Sequence, residues 1–473
     1  MTQGQPGASA LISVPTGRST AHIVLIAATA ALGGFLFGFD TAVINGAVSA
    51  IQTHFHAGPL LLGQAVASAL LGSAVGAFFA GRWADRLGRI PVMVIAAILF
   101  LISALGSGFA FSLWELTLFR LIGGVGVGTA SVIAPAYIAE IAPADLRGRL
   151  GSLQQLAIVT GIFVALLMDY FFATAAGGSS NVLWFGLAAW RWMFLAGVVP
   201  AAIYGTLALS IPESPRYLVA KFRDSQAIKV LNMVVGSREA QAKLEEIRKT
   251  LGRETRRSLR DLKGPSLGLL PIVWIGILLS VFQQFVGINV IFYYSSVLWE
   301  AVGFSEKDSL LITVITSVTN IVTTLVAIAF VDRIGRKALL LIGSTGMFVT
   351  LGTLAIVFGN ATVINGEPHL GPLAGPIALF SANIYVFFFG MSWGPVVWVL
   401  LGEMFNNRIR AIALSVAAAA QWIANWAISV SFPYLKDVGL GLAYGLYTTA
   451  ALLSFVFVMK WVKETKGREL ESM

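Results

Sequence analysis

The chain of 473 residues has no cysteine at all. Disulfides and thiolate chemistry are therefore excluded. Histidine is scarce too: His22, His54, His56 and His369 lie near the ends of apolar segments or in loops. No metal cluster, nucleotide-binding loop or nucleophile–base set can be picked out, so the reading is not an enzyme and expects neither metal nor cofactor. Charge is the third shortage. Asp, Glu, Lys and Arg make up 12% of the chain, where a soluble domain averages about 25%. Apolar residues take their place at 57%, and mean hydropathy is +0.82.

Long apolar runs recur throughout, each near the roughly 20 residues that a helix needs to cross hydrocarbon. Twelve spans are predicted, at 22–46, 61–81, 91–110, 115–137, 151–173, 192–211, 270–296, 309–331, 338–359, 376–401, 411–433 and 441–462. The first apolar segment runs directly into a full-length span, unlike a cleavable signal. The fold class expected is an all-α, multi-pass membrane protein.

The net charge of +9 is a matter of placement. With both termini on one side, 28 of the 32 Lys and Arg fall on that side, while Arg191, Lys307 and Lys436 lie opposite and Arg120 lies within a span. This asymmetry puts both termini in the cytoplasm. The basic residues thus report topology and contact with anionic lipid headgroups, and nucleic acid is not an expected partner.

A long polar stretch divides the chain. It carries 13 Lys or Arg between 213 and 268 and two amphipathic helical patterns, SQAIKVLNMVV and EAQAKLEEIRKTL. The expected organisation is a tail (1–21), a six-helix half (22–211), a helical linker (212–268), a second six-helix half (269–462) and a tail (463–473). The halves repeat landmarks in order. DRLGR at 85–89 matches DRIGR at 332–336; Glu140 and Arg147 match Glu403 and Arg410; PESPR at 212–216 matches KETKGR at 463–468. Charge-assisted Arg–carboxylate bonds suit such loops. The expected cytoplasmic latch comprises Asp85, Arg89, Glu140, Arg147, Glu213, Arg216, Asp332, Arg336, Glu403, Arg410 and Glu464, with pairs joining one half to the other. Duplicated halves place a solute site near the midplane, reached by rocking one half against the other.

DRLGR and DRIGR, PESPR, QQFVGIN (283–289) and MSWGPVVWVLLGEMF (391–405) together resemble the sugar porter family of the major facilitator superfamily. The likeness is to bacterial, cyanobacterial-type glucose–proton and xylose–proton symporters, and it covers the chain after about residue 20. It implies the major facilitator fold, a bacterial inner membrane, and a monosaccharide carrier working by alternating access, with sugar and protons as partners and a monomer as the working unit. The rivals are a facilitator without proton coupling and a transport-inactive sensor.

Amides suit sugar hydroxyls because each offers an acceptor and two donors. Aromatic faces cover a pyranose's apolar side. Gln155 and Ile162 share a face of span 5; Gln283, Gln284, Asn289 and Tyr293 cluster on span 7, where Gly287 can break the helix; Asn320 sits on span 8, and Gln421, Trp422 and Asn425 on span 11. On span 10, Trp393 precedes Gly394-Pro395, the expected helix break. Gln155, Gln283, Gln284, Asn289, Trp393 and Gln421 match sugar-contacting positions of the family, with Phe37 a further aromatic contact. Ile162 stands where glucose carriers have Ile, which favours glucose or a similar hexose.

Within the apolar run GGFLFGFDTAVINGA (33–47) stands one acid, Asp40. A charge at mid-membrane costs at least roughly 2.5–3.5 kcal/mol. Arg120 is the basic residue well inside a span and the expected partner. The resemblance implies that Asp40 carries the coupled proton, because facilitative relatives have Asn there.

Overall fold

The computed structural model describes residues 17–143, 147–253, 259–364, 367–405 and 409–465. Twelve helical segments are long and apolar enough to cross a membrane, one for each predicted span. Spans 1 to 6 are Ala21–Phe55, Pro59–Leu87, Arg89–Phe109, Leu113–Ile141, Leu150–Ala176 and Ala189–Ala208. Spans 7 to 12 are Pro271–Glu300, Glu306–Phe330, Arg336–Gly359, Ala374–Met404, Ile412–Val438 and Leu440–Trp461. An even number of crossings brings both described ends to one face, called here the terminal side; the opposite face is the far side. The strands among the described residues form two short antiparallel hairpins, Val182–Trp184 with Leu187–Ala188 and Thr362–Ile364 with Glu367–His369, beside one isolated bridge between Ser266 and Leu269.

Three spans are interrupted near expected site residues. Span 1 passes through a 3-10 turn at Asn45–Ala47 and continues as Val48–Phe55, nine residues beyond the predicted edge. Span 7 divides at Gly287, whose φ of +82° suits glycine, into Pro271–Phe285 and Ile288–Glu300. Span 10 breaks earlier than expected, at Ser392, between Ala374–Met391 and Trp393–Met404. Pro395 is the reason. It has no N–H to give, so it is best placed in the first turn of a new helix, where that N–H would lack an acceptor.

The amphipathic linker patterns form helices Asp224–Val234 and Ser237–Arg253, after a short helix Pro215–Ala220 capped by Ser214. Ala227, Val230, Leu231, Ala240 and Leu244 are buried there, in one cluster with Ile23 and Ile26 of span 1 and Ile138 and Ile141 of span 4. The linker therefore roofs the terminal side of the N-terminal half.

Buried apolar residues form two clusters, and their division describes the seam. One cluster joins the C-terminal half to the far-side ends of N-terminal spans, including Val43, Ile44, Leu62, Leu116, Phe172 and Trp190. The other holds the terminal-side ends of the N-terminal spans and the linker. Span 2 packs on span 11, and span 5 on span 8, across this seam. The core is continuous between the halves on the far side and divided on the terminal side.

The repeated loops fold alike. Gly88 and Gly335, at φ +106° and +103°, turn the chain from span 2 into span 3 and from span 8 into span 9. The carboxylate of Glu213 accepts from the N–H groups of Arg89 (3.0 Å) and Ile90 (3.2 Å). Glu464 accepts from those of Arg336 and Lys337, both at 3.0 Å. Each acid caps a helix N-terminus, where orphan donors and the helix dipole favour an anion. Glu213→Ala is expected to lower stability by about 1–3 kcal/mol through two abandoned N–H groups, with Glu213→Gln milder. Thermal unfolding in detergent checks this; an unchanged midpoint in Glu213→Ala would show that solvent replaces the cap.

Candidate functional site

Asp40 and Arg120 meet as the sequence expects. Arg120 Nη1 donates to Asp40 Oδ2 at 3.1 Å and to the Asp40 backbone carbonyl at 2.7 Å. The Arg120 side chain is 1% exposed and that of Asp40 13%. The guanidinium also stands 5.9 Å from the centre of the Phe194 ring. Gly123, one turn beyond Arg120, has no side chain to displace the acid: a Cβ there would lie 3.2 Å from Asp40 Oδ1. Both partners belong to the N-terminal half, in spans 1 and 4. Rigid rocking of the halves therefore leaves their separation unchanged. Tyr293 of span 7, in the opposite half, lies within electrostatic reach of both.

The span 7 amides form a chain. Asn289 Nδ2 donates to Gln284 Oε1, and Gln284 Nε2 lies 3.4 Å from Gln283 Oε1. Gln283 Nε2 then donates to the carbonyls of Trp393 (2.8 Å) and Gly394 (3.1 Å). Those carbonyls are near the break in span 10, so one glutamine straps the two interrupted spans together. Buried amides must find partners, and here they find one another. A polyhydroxyl ligand would exchange these bonds for its own.

The other expected site residues are aromatic and polar groups from both halves. Phe37 of span 1 and Trp422 of span 11 face each other with ring centres 5.8 Å apart. Asn425 Nδ2 lies 3.5 Å from the Tyr293 hydroxyl, and Ser429 donates to Asn425 Oδ1 at 3.2 Å. Gln421 Oε1 is buried with no partner among the described residues, an acceptor already desolvated. Ile162 packs at the edge of the larger apolar cluster, and Gln155 is half-buried. Asn320 is buried, its carbonyl accepting from Thr323 and Thr324.

Trp393 turns its polar end away from the amide chain. The indole is fully buried and its N–H donates to Leu340 O (3.1 Å) and Ser344 Oγ (2.9 Å) of span 9. The ring locks span 10 to span 9, and its carbonyl rather than its N–H serves the amide chain.

The charged loops also depart from the reading. Arg89 grips Glu140 through Nε (2.9 Å) and Nη2 (2.8 Å), with Asp85 at 3.6 Å. Arg336 grips Glu403 through Nε (3.1 Å) and Nη2 (2.8 Å). Each of these pairs closes within one half, not between halves, because the glycine turn delivers the arginine to the end of its own half's fourth span. Arg216 has partners as well. The side chains of Arg147, Asp332 and Arg410 lie outside the described residues.

The bonds that do cross the seam were missed by sequence reasoning. On the far side, Asn45 Nδ2 donates to Phe292 O at 3.0 Å, while its Oδ1 and carbonyl accept from Ser296 N (3.1 Å) and Ser296 Oγ (2.7 Å). Ser49 donates to Glu300 at 2.9 Å, and Glu306 accepts from Ser179 N at 2.7 Å. Asp169, fully buried in span 5, accepts from Gly46 N at 3.0 Å. Gln154, beside the expected Gln155, is the deeper amide, packed on Gly34 of span 1. Asp169 carries the same signal as Asp40, an acid inside an apolar run. Asn45 and Ser49 carry none beyond polarity.

Comparison with known proteins agrees over nearly the whole length. Residues 26–473 match the family model described as Sugar (and other) transporter. The chain is 62% identical to a glucose transport protein of Synechocystis sp., over 96% of this chain and 98% of that one. It is 39% identical to the D-xylose–proton symporter of Escherichia coli (strain K12), over 97% and 96% respectively. A solved structure of the Escherichia coli xylose transporter XylE in an inward open conformation superposes with a TM-score of 0.80, at 38% identity, covering 95% of this chain and 98% of that one. With twelve spans in two six-helix halves, the chain belongs to the sugar transporter family and has the major facilitator fold.

Proposed function

We propose that this protein is a proton-coupled monosaccharide symporter of a bacterial inner membrane, taking up glucose or a similar hexose by alternating access. The observation that carries the reading is the Asp40–Arg120 ion pair buried within the spans, in a protein whose spans also hold a chain of amides and an aromatic pair drawn from both halves. A carboxylate kept in a span at such cost is expected to serve an ion or proton path. The names of the relatives, a glucose transport protein and a xylose–proton symporter, support the same substrate class and coupling. Ile162, an apolar residue at the site's edge, favours hexose over pentose in this reading.

The terminal side is the cytoplasmic side, on the strength of its basic residues. The captured state is then closed to the outside, in keeping with the far-side bonds and the likeness to an inward open structure. The Arg89–Glu140 and Arg336–Glu403 clusters are the rigid cytoplasmic ends on which each half turns, and the working unit is the monomer. A facilitator is the second reading. Glucose added to deenergised, lightly buffered vesicles containing the protein is expected to alkalinise the outside, with xylose and a non-substrate sugar for comparison. Sugar entry without a pH change would make the protein a facilitator, and Asp40 a structural partner of Arg120.

A further inference from the structure

Asp169 takes no part in the mechanism above, yet it is an acid deep within span 5. Its side chain is fully buried, Oδ2 accepts from Gly46 N at 3.0 Å, and Oδ1 is buried with no partner among the described residues. The contact is close enough to dictate the residue opposite. A Cβ on Gly46 would lie 2.6 Å from Asp169 Cβ and 2.7 Å from its Cγ, so glycine alone lets the acid lie against the backbone.

Gly46 is the middle residue of the 3-10 turn Asn45–Ala47 that interrupts span 1. In such an interruption some N–H groups lose their helical acceptors; Asp169 supplies one from the neighbouring span. The residue before Gly46 is Asn45, which makes three hydrogen bonds to span 7 across the seam. An unbroken line thus runs from Asp169 through the turn to the contact that closes the far side. Other charged side chains of the spans are engaged elsewhere. Arg120 is held by Asp40, Arg191 donates to the carbonyls of Gly108 and Ala110, and Glu300 accepts from Ser49.

We propose that Asp169 is a positioning residue of the alternating-access cycle: by fixing the Gly46 turn it aims Asn45 at span 7 and so favours the far-side-closed state. This rests on the transporter reading. The test does not depend on proton coupling or on which sugar is carried.

The absence of cysteine gives a clean background. Leu62→Cys reports the far side, since Leu62 lines a narrow cleft between spans 1, 2, 7 and 11. Ala418→Cys reports the terminal side, on the Trp422 and Asn425 face of span 11. Alkylation of each by a membrane-impermeant maleimide is followed in nanodiscs, where both sides are accessible and no sugar or gradient is present. Asp169→Ala is expected to speed labelling at the far reporter and slow it at the terminal one, shifting the ratio by about tenfold, the scale set by one buried hydrogen bond. Asp169→Asn keeps an acceptor oxygen and is expected to stay near the parent ratio. Asn45→Ala should mimic Asp169→Ala, and the double variant should shift no further, because Asp169 acts through Asn45.

An unchanged ratio in Asp169→Ala overturns the proposal. So do equal gains at both reporters, which mean a loosened fold, and so does a full shift in Asp169→Asn or an additive shift in the double variant. Failure of symport in the vesicle assay leaves these outcomes untouched, and failure here leaves symport untouched.

Discussion

Asp40→Asn is expected to abolish sugar accumulation against a gradient while leaving sugar binding and exchange in place. The amide has nearly the shape of the carboxylate, and its oxygen can still accept from Arg120 Nη1, which now bonds Asp40 Oδ2 at 3.1 Å. It cannot take up or release a proton. Any uptake that remains runs downhill, and the internal-to-external ratio settles at about one, the equilibrium of a solute with no linked driving ion. Arg120 keeps its bond to the residue-40 carbonyl, which limits the destabilisation from leaving a buried cation short of its counter-charge. Alanine would be a poorer test, since breaking a buried pair outright costs about 3–5 kcal/mol and confounds coupling with folding. Counterflow of labelled glucose with and without a proton gradient makes the measurement. Full accumulation in Asp40→Asn would remove Asp40 from the mechanism.

The geometry adds a condition to that mechanism. Asp40 and Arg120 ride on the same half, so if Asp40 carries the coupled proton, the swing that frees its carboxylate must be a change within the N-terminal half, or one imposed by span 7 through Tyr293. A ligand pulling on the span 7 amides is well placed to impose it, since Tyr293 follows Asn289 by one helical turn.

Gln283→Ala has the second large effect. Sugar affinity is expected to fall by at least about tenfold, with far-UV circular dichroism unchanged, because a lost hydrogen bond to a polar ligand is worth roughly 1–3 kcal/mol. The substitution also releases the Trp393 and Gly394 carbonyls and leaves Gln284 Nε2 without its acceptor. A moderate drop in the unfolding temperature should accompany the loss. Titration of purified protein with glucose, followed by tryptophan fluorescence or calorimetry, decides the matter. Unchanged affinity with a lowered melting temperature would make Gln283 a strap between spans 7 and 10 and nothing more.

Much of this protein was legible in its residues, for physical reasons. Twelve spans could be read because hydrocarbon imposes a length and an apolar composition on every crossing. The repeat could be read because capping acids and turn glycines recur at fixed places, and Glu213 and Glu464 do the same work in both halves. The pairing of Asp40 with Arg120 was legible because a charge inside a span needs a partner and the sequence offers one cation well inside a span.

Tertiary structure alone decided the rest. Sequence placed Glu140 and Glu403 near arginines, but only the fold put each on the arginine of its own half. It turned the Trp393 N–H toward span 9, made Gln154 rather than Gln155 the deeper amide, and moved the span 10 break to Ser392. It also joined Asn45 to span 7 and Asp169 to Gly46, residues 251 and 123 positions apart along the chain. Composition and periodicity fix which segments cross the membrane and which faces are polar. The partner of each polar group depends on helix rotation and crossing, which close packing sets and no local pattern encodes.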